Sequence, residues 1–346
     1  MTARTSARRE VPAAVVAAPG TAPSIQSVRL PERVADSTLL GVVAAPLNPL
    51  DLLIASGDFH SARYESPYVP GSECVGHVLA SNRYPAGTLV YAECHASPST
   101  PGALSTHTVV PDDDVLALPD DLNPVLGAAV GNSGTAAFMS LIETAGLREG
   151  ESVLVLGATG AVGQLAVQIC RLHGAGRVTA AARDPAALDR LLPMGADALV
   201  ALRPGEEEAS LCARLAAAAG PVNVILDGLY GPPLQAALLT CAPRARVINI
   251  GNLAGATTQL PAGLLRGRQL ALTGFAGLHT PLREKRAALN WLWAKLASGE
   301  LHIDVRTFTL DQLPTAWSAQ AASPHAKCVV LPDSRLLPTT HRSDRS

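Results

Sequence analysis

Glycines at 157, 160 and 163 punctuate the run Val153-Leu-Val-Leu-Gly157-Ala-Thr-Gly160-Ala-Val-Gly163-Gln-Leu-Ala-Val-Gln168. An apolar strand pattern passes directly into Gly-x-x-Gly-x-x-Gly and then into an amphipathic helix pattern, the arrangement that receives the pyrophosphate of a dinucleotide. Small residues are needed for three reasons. The chain must turn tightly out of the strand, the backbone must approach the anion closely, and the helix must pack against the sheet. Backbone N–H groups around Thr159, Ala161 and Val162 then meet negative charge at the helix N-terminus, where the dipole favours it. A glycine triplet alone is an ordinary strand–helix connection. Here the strand before it, the helix after it and further strand–helix alternation favour dinucleotide binding.

The end of the next strand discriminates between cofactors. An NAD site places an acid there, about 20 residues beyond the motif, for the ribose hydroxyls, whereas an NADP site places an arginine for the 2′-phosphate. The segment Arg177-Val-Thr-Ala-Ala-Ala-Arg183 ends in a basic residue and is followed by Asp184-Pro185. Asp184 has the form of an N-cap with proline at the first helical position. That leaves Arg183 for the phosphate and points to NADPH. The competing assignment gives the ribose to Asp184 and Arg183 to solvent.

Other reactive residues are scattered. The six cysteines, at 74, 94, 170, 212, 241 and 328, form no C-x-x-C pair. Reduced thiols in a cytoplasmic enzyme fit that spacing better than a disulfide framework or a structural zinc. Cys94-His95 supplies two metal ligands at most, and a half-buried loop is the plainer reading. His77 and His107 fall in strand-like runs and read as packed or surface residues. No Gly-x-Ser-x-Gly elbow follows a strand, which disfavours a serine hydrolase.

The elements that must position these residues follow from composition and pattern. The chain has 346 residues, enough for two domains, with 48% hydrophobic residues and a net charge of -2. Charges so balanced, with scattered arginines, argue against a nucleic-acid partner. No apolar run is long enough to span a bilayer, and the polar start around Arg4, Arg8 and Arg9 reads as a frayed terminus. Aromatic residues make up only 3%, so the core must be built from Ala, Val and Leu. Short β-rich runs at 14–17, 39–44, 77–80, 88–91 and 106–110 suggest an irregular β-barrel-like domain. Strands at 153–156, 178–181, 222–226, 247–250 and 270–273 alternate with helices near 162–173, 185–194, 206–218 and 233–241, which implies a parallel sheet. A helix near 282–298 and strands at 305–309 and 328–331 follow, and the tail from Asp333 reads as disordered. β-structure on both sides of the alternating segment suggests an inserted domain.

Several of these segments together resemble a known family. Asn48-Pro49-Leu-Asp51 with Ser56-Gly57, Val69-Pro70-Gly71-Ser72-Glu73, the glycine turn, Asp227-Gly228, Asn249-Ile-Gly251 and Ala326-Lys327-Cys-Val-Val-Leu-Pro332 run in order through the chain. They are similar to the medium-chain dehydrogenase/reductases, specifically the zinc-independent, quinone-oxidoreductase-like enzymes. The resemblance implies an α/β protein: a GroES-like β-barrel catalytic domain (1–126 and 277–346) with an inserted Rossmann doubly wound parallel-sheet domain (127–276), the active site lying between them. At the positions matching the catalytic zinc ligands of metal-dependent relatives stand Asn48, Ser72 and Gly131, none of them a competent zinc ligand, and the four-cysteine structural lobe is missing. The implied reaction is therefore metal-free hydride transfer from NADPH to a quinone or an activated C=C, with the substrate's own carbonyl taking up charge. A carbonyl reductase of the same fold and a catalytically silent NADPH-binding protein are the competing readings.

By the same resemblance Asn48 faces nicotinamide and substrate and donates through its amide, with a turn residue before Pro49 as the alternative. Thr135 starts the cofactor-domain helix near the nicotinamide, and the backbone after Asn249, through Gly251, flanks the carboxamide. Where related enoyl reductases carry a tyrosine as proton donor this chain has Phe59, which leaves Tyr64, His60 or solvent for that role. The expected partners are a small-molecule quinone or unsaturated carbonyl and a second copy of the chain, paired through the sheet edge near 270–273, with neither nucleic acid nor membrane.

Overall fold

Proline and glycine interrupt the first third of the chain often, and most of its strands are short. In the computed structural model, which describes residues 10–59, 65–97 and 99–336, they are β1 (Glu10–Val15), β2 (Ser24–Arg29), β3 (Ser37–Pro46), β4 (Glu73–Ala80), β5 (Leu89–Glu93), β6 (His107–Pro111) and β7 (Val115–Ala117). The alternating segment supplies β8 (Ser152–Leu156), β9 (Arg177–Ala182), β10 (Ala198–Ala201), β11 (Val222–Asp227), β12 (Cys241–Asn249) and β13 (Ala271–Gly274). Two more strands, β14 (Val305–Thr309) and β15 (Lys327–Leu331), come after the helix Leu282–Ala297.

These elements belong to two units. One is drawn from Met1–Asn132, Pro281–Ser298 and Asp304–Ser346, the other from Ser133–Thr280 and Gly299–Ile303. Residues 127–132, assigned to the inserted domain from sequence, lie with the first unit because the helix Pro124–Ala129 packs against β3, β4 and β15. The carbonyl of Gly127 also accepts from Trp293 Nε1 at 3.2 Å. Residues 299–303 join the second unit through Gln168, whose amide accepts from His302 N (2.8 Å) and donates to His302 O (2.9 Å).

In the first unit one sheet runs β14-β15-β3-β4-β5-β7, with β6 also paired to β3. Its core is aliphatic, including Leu40, Val42, Leu47, Val90 and Val330. Two large aromatics are fully buried: Tyr91 meets Trp293 edge-on, with centroids 6.0 Å apart at 67°. The tail expectation needs correction at its start. Ser334–Leu336 form a 3-10 turn held by the Asp333–Arg335 ion pair at 2.8 Å, and residues 337–346 lie outside the described residues.

The second unit has six parallel strands in the order β10-β9-β8-β11-β12-β13. The first strand, β8, lies at the centre, and the order reverses between β8 and β11, the switch point at which doubly wound sheets bind ligands beyond their carboxyl ends. Two expectations about this unit were incomplete. The helix expected over 185–194 stops at Asp189, because Pro193 lacks an N–H and its ring would collide with the carbonyl four residues back. Strand β10 was not foreseen, since alanine-rich Ala198–Ala201 has little β-propensity of its own and is drawn out by pairing with β9.

The glycine turn joins β8 to the helix Ala161–Leu172, and its glycines differ in what they allow. Gly157 has φ +85°, the left-handed conformation that favours glycine. A Cβ on Gly163 would lie 2.5 Å from Ala158 Cα and from Gly157 O. Gly160, at φ -76°, would place a Cβ no closer than 3.7 Å to Gly157 O, so its backbone is not strained and it faces open space. Gly163→Ala is therefore expected to lower stability by about 1–3 kcal/mol, and Gly160→Ala to change it by less than about 0.5 kcal/mol, both read from chemical denaturation. Equal effects at the two positions would contradict this division of roles.

Candidate cofactor and substrate sites

The carboxyl edge of the six-stranded sheet gathers most of the residues expected to hold a cofactor. At the end of β8 the turn is pinned from inside, where buried Gln164 donates through Nε2 to Thr159 O at 2.7 Å. Gly160 caps the helix Ala161–Leu172 and is exposed. The first-turn N–H groups of Ala161, Val162 and Gly163 precede any intrahelical acceptor, and a close-lying anion would satisfy them. One strand over, Arg183 follows Ala182, the last residue of β9, and is exposed. Among the described residues no hydrogen bond or ion pair holds its guanidinium. Asp184 is engaged elsewhere: its carboxylate accepts from Ala187 N at 3.1 Å and caps the helix Pro185–Asp189, with Pro185 in the first turn.

At the ends of β11 and β12 a second polar knot fixes the chain. Asp227 is fully buried, and its carboxylate accepts from Leu229 N and Tyr230 N, both at 2.9 Å, and from Asn249 Nδ2 at 2.8 Å. Burial pushes its carboxyl up, and these donors pull it back. The Asn249 amide also donates to Gly251 O at 2.7 Å. Its Nδ2 thus braces the strand ends. Gly251 passes so near the neighbouring loop that a Cβ would meet Gly228 O at 2.9 Å. Thr135, in the helix Gly131–Phe138, is 2% exposed.

In the first unit, Asn48 lies inside a buried polar network. Its amide donates to Glu73 Oε1 (2.8 Å) and Ser72 Oγ (3.2 Å), and its Oδ1 accepts from Lys327 Nζ at 2.5 Å. Glu73 Oε2 accepts from Tyr91 Oη at 2.9 Å and Asn132 N at 2.6 Å. Asp51 accepts from Asn48 N at 2.8 Å, and Lys327 Nζ stands 3.7 Å from Glu73. Asn48, Asp51, Glu73, Tyr91 and Lys327 are each no more than 2% exposed, whereas Ser72 is half-buried. Burial raises Asp51 to about 6, and burial also pulls the Lys327 ammonium down from its ordinary value against the pull of Glu73 and Asp51. Desolvation and Glu73 together hold Tyr91 firmly protonated.

This network bears on two expectations. Both amide hydrogens of Asn48 already have acceptors, so the amide anchors the site instead of standing free for a substrate. The zinc of metal-dependent relatives does not fit here either. A cysteine Cβ at Gly131 would fall 2.2 Å from Glu73 Oε2 and 2.4 Å from Tyr91 Cε2, and a lysine ammonium already supplies the local positive charge. Cys94 packs its sulfur 3.9 Å from Cys74, and His95 pairs with Asp114 at 3.6 Å. Among the described residues no group of three or more His, Cys, Asp or Glu could hold a metal, and no helix is long and apolar enough to cross a membrane. Tyr64 and His60 lie outside the described residues, while Phe59 is half-buried. Sequence reasoning passed over Asp51, Glu73, Tyr91 and Lys327. Three of them sit in the motifs that carry the family resemblance, but nothing in a linear pattern announces that they converge.

Removing one partner from such a cluster leaves buried charge uncompensated. Lys327→Met is expected to cost about 3–5 kcal/mol, and Lys327→Met with Glu73→Gln to recover part of it, both measured by urea unfolding. A single variant that loses less than about 1 kcal/mol, well short of the cost of an unpaired buried charge, would show that the ammonium does not compensate the acids.

Comparison with known proteins agrees with this architecture. A family model described as an alcohol dehydrogenase GroES-like domain matches residues 35–120, and one described as a zinc-binding dehydrogenase matches residues 161–294. Prostaglandin reductase-3 of Bos taurus is 30% identical over 274 residues, 75% of this chain and 69% of that protein. A phenolphthiocerol/phthiocerol polyketide synthase polypeptide of Mycobacterium tuberculosis is 30% identical over 301 residues, 86% of this chain but only 13% of that protein. Quinone oxidoreductase of Homo sapiens is 35% identical over 140 residues, 39% of this chain and 41% of that protein. The chain thus spans well under two thirds of the latter two. The solved structure of mycobacterial Rv1454c complexed with NADPH superposes with a TM-score of 0.81 at 21% identity, covering 93% of this chain and 100% of that one, a likeness that shows the fold. The GroES-like and Rossmann folds are those the residues implied, and Asn48, Ser72 and Gly131 mark the departure from metal-dependent relatives: the chain belongs to the zinc-independent, quinone-oxidoreductase-like branch of the medium-chain dehydrogenase/reductase superfamily.

Proposed function

We propose that the chain is an NADPH-dependent reductase that delivers hydride to a small quinone or to the activated C=C of an unsaturated carbonyl, without a metal. The observation that carries the cofactor choice is at the end of β9: Arg183 is exposed and unpaired among the described residues, while the adjacent Asp184 is tied down as an N-cap. The acid that would serve NAD is therefore engaged, and the base that would serve a 2′-phosphate is free. Gly160 and the first turn of Ala161–Leu172 receive the pyrophosphate, and the backbone between Asn249 and Gly251 borders the carboxamide. When bound, NADPH supplies the hydride. Thr135 belongs to the same reading as a residue near the nicotinamide.

The acceptor class follows from the donor set. Asn48, Ser72 and Gly131 offer no Lewis acid, so an acceptor must carry its own electron sink, as quinones and unsaturated carbonyls do. Asn48, held by Lys327 and Glu73, orients this part of the site. A quinone oxidoreductase and a reductase among the relatives support the acceptor class. The same reading pairs two copies through β13, whose four residues are all exposed at the open edge of the sheet.

Turnover is tested by following NADPH oxidation with 9,10-phenanthrenequinone and a panel of enones, alongside metal analysis. The expected outcome is turnover with no stoichiometric zinc and no loss on chelation. Tight NADPH binding without turnover of any acceptor would instead favour a catalytically silent protein. Arg183→Ala is expected to lower the NADPH-to-NADH preference by roughly 10- to 100-fold, the effect of one hydrogen bond to a charged group. The parent's preference should also shrink as salt rises. Asp184→Ala should weaken the helix it caps and leave that preference in place. A preference lost with Asp184 and kept without Arg183 would reverse the assignment.

A further inference from the structure

The helix Leu282–Ala297 buries Leu282, Ala288, Leu289, Leu292 and Trp293, and among these apolar positions it also buries Lys285. Lys285 is 3% exposed, while its neighbours Arg283, Glu284 and Arg286 are exposed. An ammonium loses its hydration at such a position only against a strong acceptor. That acceptor is Glu93 Oε1, at 2.6 Å. The Glu93 side chain is 13% exposed, and among the described residues no other hydrogen bond holds its carboxylate.

Glu93 ends β5 and lies directly across the β4–β5 ladder from Glu73. Two carboxylates opposite each other on paired strands repel, and where water is scarce one of them takes up a proton unless a cation intervenes. Burial pushes the Glu93 carboxyl up, Lys285 pulls it back, and Glu73 pushes it up further. His95, paired with Asp114, adds a weaker pull, and β7 on the far side of β5 brings no titratable residue. The same helix sets Trp293 edge-on against Tyr91, whose hydroxyl donates to Glu73. It is thus seated on β5 twice, at Glu93 by its first turn and at Tyr91 about two turns later.

We propose that Lys285 is a positioning residue for the substrate site: it lets Glu93 stay ionised opposite Glu73, so that Glu73 keeps its charge for Asn48 and the helix keeps its seat over Tyr91. The link to turnover rests on the reading that Asn48 orients the acceptor.

The test compares the parent with Lys285→Met, Lys285→Arg and Lys285→Met combined with Glu93→Gln. Urea midpoints and the side-chain amide resonances of Asn48 are followed against pH, with NADPH affinity by fluorescence and turnover of 9,10-phenanthrenequinone. Without the ammonium the folded Glu93 carboxyl rises further above its ordinary value. The folded chain then holds a proton that the unfolded chain releases, so the cost is small in acid and grows as pH climbs through the raised value. Lys285→Met is expected to lose midpoint progressively between about pH 5 and about pH 9, with the Asn48 resonances shifting over the same range. Its kcat should fall about 10-fold at the alkaline end while NADPH affinity changes less than about 2-fold. The double variant should lose this pH dependence and regain most of the turnover, and Lys285→Arg should follow the parent's profile. If Lys285→Met does not fold, a folded double variant carries the same conclusion. Failure of both to fold, a midpoint loss that does not vary with pH, or unshifted Asn48 resonances would overturn the inference. A parent that turns over no acceptor would overturn the functional reading instead, and the midpoints and resonances would still decide the role of Lys285.

Discussion

A carboxylate taken out of water needs donors from the chain to replace those it leaves behind. Glu73 meets that demand with the amide of Asn48, the hydroxyl of Tyr91 and the backbone of Asn132, with Lys327 nearby. Those residues come from a turn, strand β5, a helix start and the closing strand, so one buried charge ties together segments far apart in sequence. The arrangement is costly to bury and costly to break. Its effect is specificity of position: Asn48 has one placement in which Glu73, Ser72 and Lys327 are all satisfied.

The second unit solves a different problem by geometry. Parallel strands end in loops along one edge, and in the β10-β9-β8-β11-β12-β13 order these loops diverge at the centre. Glycines are placed there according to distinct needs. Gly157 supplies a left-handed turn, Gly163 lets the helix approach, and Gly160 leaves room outside. The knot of Asp227 with Asn249 keeps the adjacent strand ends from drifting.

The parts legible in the sequence were those with local signatures. The glycine turn, the N-cap at Asp184 and the strand–helix alternation each follow from neighbours within a few residues, and each stands where expected. β10 and the first-unit network were not legible, because the first depends on a partner strand and the second on contacts such as Lys327 to Asn48, 279 positions apart. The donor role expected of Asn48 was framed without its partners for the same reason. Its type and place in a motif were plain, but the acceptors that engage its amide are distant in the chain. The demand for unusual backbone angles belongs to Gly157; Gly160 has an ordinary φ.

The space left by the missing side chain at Gly131 is filled by Glu73 and Tyr91, and this shapes which evolutionary paths lead away from the present protein. A cysteine introduced at 131 collides with both. A cysteine at 48 would strip the amide that bridges Lys327 and Glu73. Both changes thus lower stability before any coordination exists to reward them. Packing acts as a ratchet against the acquisition of zinc.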